Sequence, residues 1–190
     1  MNKIIIAAFF VFTLPLTLMA RPKAVILFRH AEEPLDYTAN NLSKIGYERA
    51  KLLPELFKTN AVLKALGIPS VLFAAGVKNK DSSIRSIETL EPLAAALNIS
   101  INESFQRDDF RALSEDINNN RAYDGQVVVV AWQHKILREI AEKVGLKKAP
   151  MYPSGRFDRI WVITYKGGKN GNKGILQDLP QQLLPGDSKK

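Results

Sequence analysis

QVVVVAW, residues 126–132, is the stretch on which the fold turns, and Gln133 and His134 follow it directly. The apolar run from Val127 to Trp132 is too short for an amphipathic helix and too continuous for a strand with one wet face. It specifies a strand buried on both sides, as in a sheet covered by helices above and below. Ile136, Leu137, Ile140, Ala141 and Val144 then recur at helical spacing, so a helix follows the strand at once.

The same unit is written elsewhere in the chain. Residues 23–28 (KAVILF) read as a strand, and a helix begins after Ser43 with Leu52, Leu53, Leu56 and Phe57 on its apolar face. Residues 70–75 (SVLFAA) read as another buried strand. Ser82 or Ser83 can cap a helix running to about residue 97, with Ile84, Ile87, Leu90 and Leu93 apolar. Residues 159–165 (RIWVITY) form a further strand. Buried strands alternating with helices imply an α/β fold, a three-layer α/β/α sandwich with a mostly parallel central sheet.

Residues 98–124 are more polar, with a strand expected near Ile99 and a helix from Phe110 to Ile117. Residues 166–173 (KGGKNGNK) read as a turn or loop, and residues 185–190 as a frayed tail. No internal repeat is visible.

A length of 190 residues with 46% hydrophobic and 24% charged residues fits one globular domain over residues 21–190. Residues 1–20 stand apart. Lys3 is followed by an uncharged apolar run over residues 4–18 and by Ala20 just before Arg21, the pattern of a secretory signal peptide. The alternative, a permanent anchor, needs roughly 17 to 25 apolar residues. Cleavage would leave no stable membrane insertion and a periplasmic or secreted product. With no cysteine there is neither a disulfide framework nor a thiol to lipidate, which suits a bacterial periplasm.

The net charge of +8 favours anionic partners. Lys and Arg are scattered, however, and no nucleic-acid motif accompanies them, so no nucleic-acid partner is expected. Phosphorylated small molecules or anionic envelope components fit the charge. Oligomeric state is not written in the pattern.

Only two histidines occur, and each lies just beyond a buried strand: His30 after residues 25–28 and His134 after residues 127–132. In open α/β sheets that edge is where ligands bind. Arg29 precedes His30, and Arg85 starts the helix after the strand at residues 70–75, so three strand ends supply one basic pocket. Guanidinium groups placed there can hold phosphate oxygens in a bidentate way.

These residues stand in ordered blocks: Arg29-His30-Ala31-Glu32, then Leu42-Ser43-Lys44-Ile45-Gly46 running on to Ala50, then Ser82 to Thr89 with Arg85 at its centre, and Val130 to His134. In order and spacing they resemble the histidine phosphatase superfamily, also called phosphoglycerate mutase-like, and the resemblance covers most of residues 21–190. It implies that His30 is the nucleophile, with Arg29, Arg85 and a protonated His134 binding the phosphoryl group. The residue types agree with this. A neutral imidazole is a competent nucleophile at phosphorus, and two arginines with a second His stabilise charge on the equatorial oxygens. The expected product is a phosphohistidine at His30, later hydrolysed. The scheme needs no cofactor, and no metal-ligand spacing is present.

Three departures matter. Ala31 replaces the usual Gly, which brings a methyl group toward the phosphate's approach. Gln133 and Lys135 flank His134 where some branches carry the carboxylate that protonates the leaving group. Other branches take that acid from the segment before the second His, which here offers Glu103 first, then Asp108 or Asp109, and Glu115. Glu32 and Glu33 could order the loop or hold Arg29, but a carboxylate repels phosphate.

The reading that follows is a metal-independent phosphatase acting on a phosphomonoester or a phosphohistidine. Its alternative is a non-catalytic periplasmic domain that binds a phosphorylated ligand. Substrate choice would lie in residues 98–124 and 145–157.

Overall fold

The computed structural model of the chain describes residues 21–36, 39–167 and 173–189, so the signal-peptide reading of residues 1–20 lies outside the described residues. Among the described residues no helix is long and apolar enough to cross a membrane.

The elements run β1 (Ala24–Arg29), α1 (Lys44–Thr59), α2 (Ala61–Leu66), β2 (Val71–Ala74), α3 (Arg85–Leu97), β3 (Ile101–Asn102), α4 (Phe110–Asn119), β4 (Val127–Trp132), α5 (His134–Lys143), β5 (Arg159–Lys166) and β6 (Lys173–Pro180). They build one six-stranded sheet in the order β3-β2-β4-β1-β5-β6. β4 lies between β1 and β2 and is parallel to both, so the valine run is indeed central. β5 turns antiparallel against β1, and β6 antiparallel against β5.

Side chains alternate across a strand, and here the alternation sorts the core into two layers. Val25, Leu27, Val128, Val130 and Trp132 pack with Leu113 and Ile117 of α4 and Leu137 and Ile140 of α5. Ile26, Phe28, Val127, Val129 and Ala131 pack on the other face with Leu53 and Phe57 of α1 and Leu90 and Leu93 of α3. The expected three-layer α/β/α sandwich with its mostly parallel centre is present. Every residue of β1 and β4 is buried, which is why neither strand shows a polar face in the sequence.

Helix starts follow local chemistry. Ser43 accepts a hydrogen bond at 3.1 Å from the backbone of Gly46 and caps α1. Ser83 accepts from the Arg85 backbone at 3.3 Å and takes up one of the free amides at the start of α3.

Three features depart from the expectation. α2 and β6 are additional elements: α2 is a single short turn set by its Asn60 cap, and β6 is an edge strand with most side chains exposed. The strand expected near Ile99 is displaced to Ile101–Asn102. The tail is not frayed over its described residues. The Asp187 carboxylate accepts two hydrogen bonds from Arg49, and the Ser188 backbone donates to Asp158 at 2.6 Å, so buried ionic contacts hold the segment.

Candidate active site

β1 and β4 run parallel with Arg29 paired to Trp132, and the His30 backbone donates to the Trp132 carbonyl at 3.0 Å. His30 therefore stands level with Gln133 at the carboxyl edge of the sheet, and His134 opens α5 one residue further on. Adjacent parallel strands thus bring together two histidines that lie 104 positions apart in sequence.

The loop after β1 is held from several sides. The Ala31 backbone donates to Thr89 Oγ1 at 2.9 Å, and that hydroxyl donates to the Arg85 carbonyl at 2.6 Å, which ties the loop to the first turn of α3. The Ser43 backbone donates to the Glu32 carbonyl at 2.9 Å. A Cβ on Gly46 would strike the backbone of Glu32, so only glycine lets α1 start this close to the loop. The Ala31 methyl packs against Leu42 and Ala50. It lies in the core, so the expected narrowing of the phosphate's approach does not arise from it.

His30 is 3% exposed, and its Nδ1 lies 2.8 Å from the Ala31 carbonyl. That contact suits a proton on Nδ1 and leaves Nε2 with a free lone pair. Burial pushes its pKa down to about 4, with the positive charges of Arg29 and Arg85 adding to the effect against the Ala31 carbonyl. His30 is therefore neutral at neutral pH, the form a nucleophile requires.

His134 also has a lowered pKa, from burial first and then from Arg29 and Lys135. The protonated form implied by the resemblance is disfavoured in these surroundings. An imidazole that is neutral here acts as a hydrogen-bond partner unless an incoming anion offsets the arginine.

Arg29 is buried, donates from Nη1 to the Ser154 carbonyl and from Nη2 to Glu33 at 2.8 Å, and lies over the Phe157 ring at 3.9 Å. Its Nε is buried without a hydrogen-bond partner. Burial pulls its pKa below the ordinary value while Glu33 opposes that pull. Arg85 donates from Nε to the Asn41 carbonyl at 3.1 Å, from Nη2 to the Ala39 carbonyl, and from Nη1 to Glu33 at 3.3 Å. Both guanidiniums thus reach one carboxylate, which brings Arg29 and Arg85 to one place.

Beside Arg85 opens a cavity of about 390 Å³ lined by Ser83, Lys78, Gln106, Asp108 and Gln133 among other polar residues. Asp108 borders it, paired with Arg107 at 2.8 Å, and that hydrogen bond holds its carboxyl below the usual range. Glu103 is exposed and does not line the cavity; its backbone carbonyl packs on Gly76, where a Cβ would collide with it. Asp109 is also exposed and accepts from the Gln106 backbone at 3.0 Å.

Sequence reasoning missed Phe157, whose ring stacks on Arg29 and lies 6.1 Å from the His30 ring between centroids. It also missed Tyr152, whose hydroxyl accepts from the Arg29 backbone at 3.3 Å and donates to the Arg159 carbonyl at 2.8 Å. Both lie in the loop before β5, where no periodicity marks them.

No family model matches the chain, and no curated protein matches it in sequence. Solved structures do. A protein of Agrobacterium tumefaciens described as the phosphohistidine phosphatase SixA is 15% identical, with a TM-score of 0.50 over 83% of this chain and 97% of its own. A mycobacterial glucosyl-3-phosphoglycerate phosphatase in complex with inorganic phosphate is 12% identical, with a TM-score of 0.49 over 82% of this chain and 95% of its own. A phosphoglycerate mutase of Plasmodium falciparum is 11% identical, with a TM-score of 0.44 over 83% and 99%. The chain shares its fold with the Agrobacterium structure. At these identities the likeness speaks for the fold alone, and the chemistry must be argued from the residues.

Proposed function

We propose that the protein is a phosphatase that hydrolyses a phosphomonoester or a phosphohistidine through a phosphoryl group carried on His30. The observation that carries this reading is the buried, neutral His30 beside two guanidiniums that already converge on one anion.

In the proposed reaction the Nε2 lone pair of His30 forms the bond to phosphorus as the bond to the leaving oxygen or nitrogen breaks. Arg29, Arg85 and His134 hold the equatorial oxygens, where charge spreads in the transition state. Water then attacks the phosphohistidine, returning the imidazole and inorganic phosphate. The Nδ1 contact with the Ala31 carbonyl keeps the ring oriented through both steps. The polar cavity beside Arg85 suits a hydrophilic leaving group better than a hydrocarbon one.

His30→Ala tests the reading. Turnover should vanish with little change in thermal midpoint, and acid-labile labelling by radioactive substrate should disappear. Activity within about tenfold of the parent would refute it, because covalent catalysis has no substitute for the lost nucleophile.

The second reading, a non-catalytic domain that captures a phosphorylated ligand, is favoured by one observation: Gln133 and Lys135 flank His134 where an acid could stand. Turnover of a generic aryl phosphate by the purified protein separates the two.

Export is part of the proposal, resting on Lys3 and the apolar run over residues 4–18. Sequencing the amino terminus of protein recovered from the periplasm tests it, a mature chain starting near Arg21 being the expected result.

A further inference from the structure

Glu33 has no role in the reaction proposed above, yet it makes the closest anionic contact of both clamp arginines. Its oxygens are divided between them: Oε1 accepts from Arg29 Nη2 at 2.8 Å and Oε2 from Arg85 Nη1 at 3.3 Å. Their other hydrogen bonds and ring contacts go to neutral partners. Arg29 is held by the Ser154 carbonyl and the Phe157 ring, and Arg85 by the carbonyls of Asn41 and Ala39. The arginine side chains are 3% and 11% exposed, whereas that of Glu33 is 32% exposed. The carboxylate can therefore swing into solvent while the guanidiniums stay where they are.

A carboxylate bridging two guanidiniums through two oxygens makes the contacts that two oxygens of a phosphoryl group would make. We infer that Glu33 is an internal competitor for the clamp that every anion must displace, so that only a ligand held more strongly than a carboxylate, such as a phosphoryl group bearing two negative charges, binds appreciably. Phosphodiesters and sulfate monoesters would be rejected. This rests on Arg29 and Arg85 being the phosphoryl clamp.

Binding at the clamp is an exchange of one anion for another. A monoanion that displaces Glu33 brings the same single charge, and it competes with a group tethered beside the site at a high effective concentration. A dianion answers both guanidinium charges. Once displaced, Glu33 is solvated and screened, so its repulsion of the bound dianion is reduced. The competitor thus lowers the affinity of every anion by the same factor, and the attraction of the clamp sets the ratio between them.

Methylphosphonate and methanesulfonate share one shape and resist hydrolysis, and at a suitably alkaline pH they differ by one unit of charge. Calorimetric binding of both to the parent, Glu33→Gln and Glu33→Ala proteins is the test, with unchanged circular dichroism as the check on folding. The parent should bind methylphosphonate and discriminate against methanesulfonate. Both variants should gain affinity for both anions by a similar factor of at least about tenfold, since a hydrogen bond to a charged group outweighs one decade of affinity. Parallel weakening of both anions would overturn the inference and make Glu33 a support for the arginines. Unchanged affinity for both anions would also overturn it. Failure of both anions to bind any of the proteins would remove the clamp itself, and the phosphatase reading with it.

Discussion

Arg49 in α1 and Asp187 near the end of the chain are joined by two hydrogen bonds of 2.9 and 2.7 Å across 138 positions of sequence. The same guanidinium donates to Glu32 at 2.7 to 3.0 Å and to Gln181 at 3.2 Å. One buried cation therefore links the loop after the proposed nucleophile, the first helix and the C-terminal segment.

Arg49→Ala leaves two carboxylates without their partner, Asp187 7% and Glu32 18% exposed. The expected loss is about 3 to 5 kcal/mol, the usual result of breaking a buried pair by removing one member. Urea denaturation measures it, and a change below about 1 kcal/mol would mean that water replaces the arginine at little cost.

Acid should weaken the same region. Burial works against the charged form of Asp158, but Arg156 and the Ser188 backbone outweigh it and hold the pKa at about 2. Asp187 is likewise lowered, burial being outweighed by Arg49 and the Leu184 and Leu183 amides. Both carboxyls sit lower in the fold than in the unfolded chain, where about 3.9 is usual. Their stabilisation is present above about pH 4 and is lost as pH falls, through about 2 for Asp158. Denaturation midpoints measured across that window should fall, with Asp158→Asn flattening the decline.

His30 should titrate far below an ordinary imidazole. Nuclear magnetic resonance of isotope-labelled protein should place its midpoint near pH 4, with His134 also lowered. The buried neutral ring makes His30 the lower of the two. A His30 midpoint near the ordinary value of about 6.5 would show that the ring is wetter than its 3% exposure indicates.

Arg85→Ala should weaken inhibition by both phosphate and vanadate and lower turnover, since it removes a charge-assisted contact worth roughly 1.5 to 3 kcal/mol. Unchanged inhibition constants would place Arg85 outside the phosphoryl site.

The proton donor is open to a comparison of leaving groups. Glu103→Gln, Asp108→Asn and Asp109→Asn are to be assayed on alkyl and aryl phosphates. The true acid, when removed, slows the alkyl substrate selectively by about 10² to 10⁴, because an alkoxide cannot leave unaided. Asp108 is the carboxylate of these three that lines the cavity beside Arg85, so the selective loss is expected there, provided that Arg107, which holds it ionised, is drawn away when substrate binds. No selective loss in any variant would favour an activated leaving group such as imidazole.

The central strands, the helices that cover them and the two strand-end histidines were all legible in the sequence. Continuous apolar runs such as residues 127–132 and helical repeats such as Leu137, Ile140 and Ala141 record burial directly, because every side chain of a central strand must be apolar. Edge strand β6 left no such record. Its side chains are mostly exposed, and its pairing with β5 is made by backbone groups that any sequence supplies. Tertiary structure alone decided the partners of charged residues. The sequence places Glu33 close enough to Arg29 to hold it, but nothing local announces that it also reaches Arg85. Nor does anything in residues 185–189 announce that Asp187 will meet Arg49. Hydrophobic burial is set residue by residue and so is written in pattern, whereas an ion pair depends on where two distant backbones come to lie.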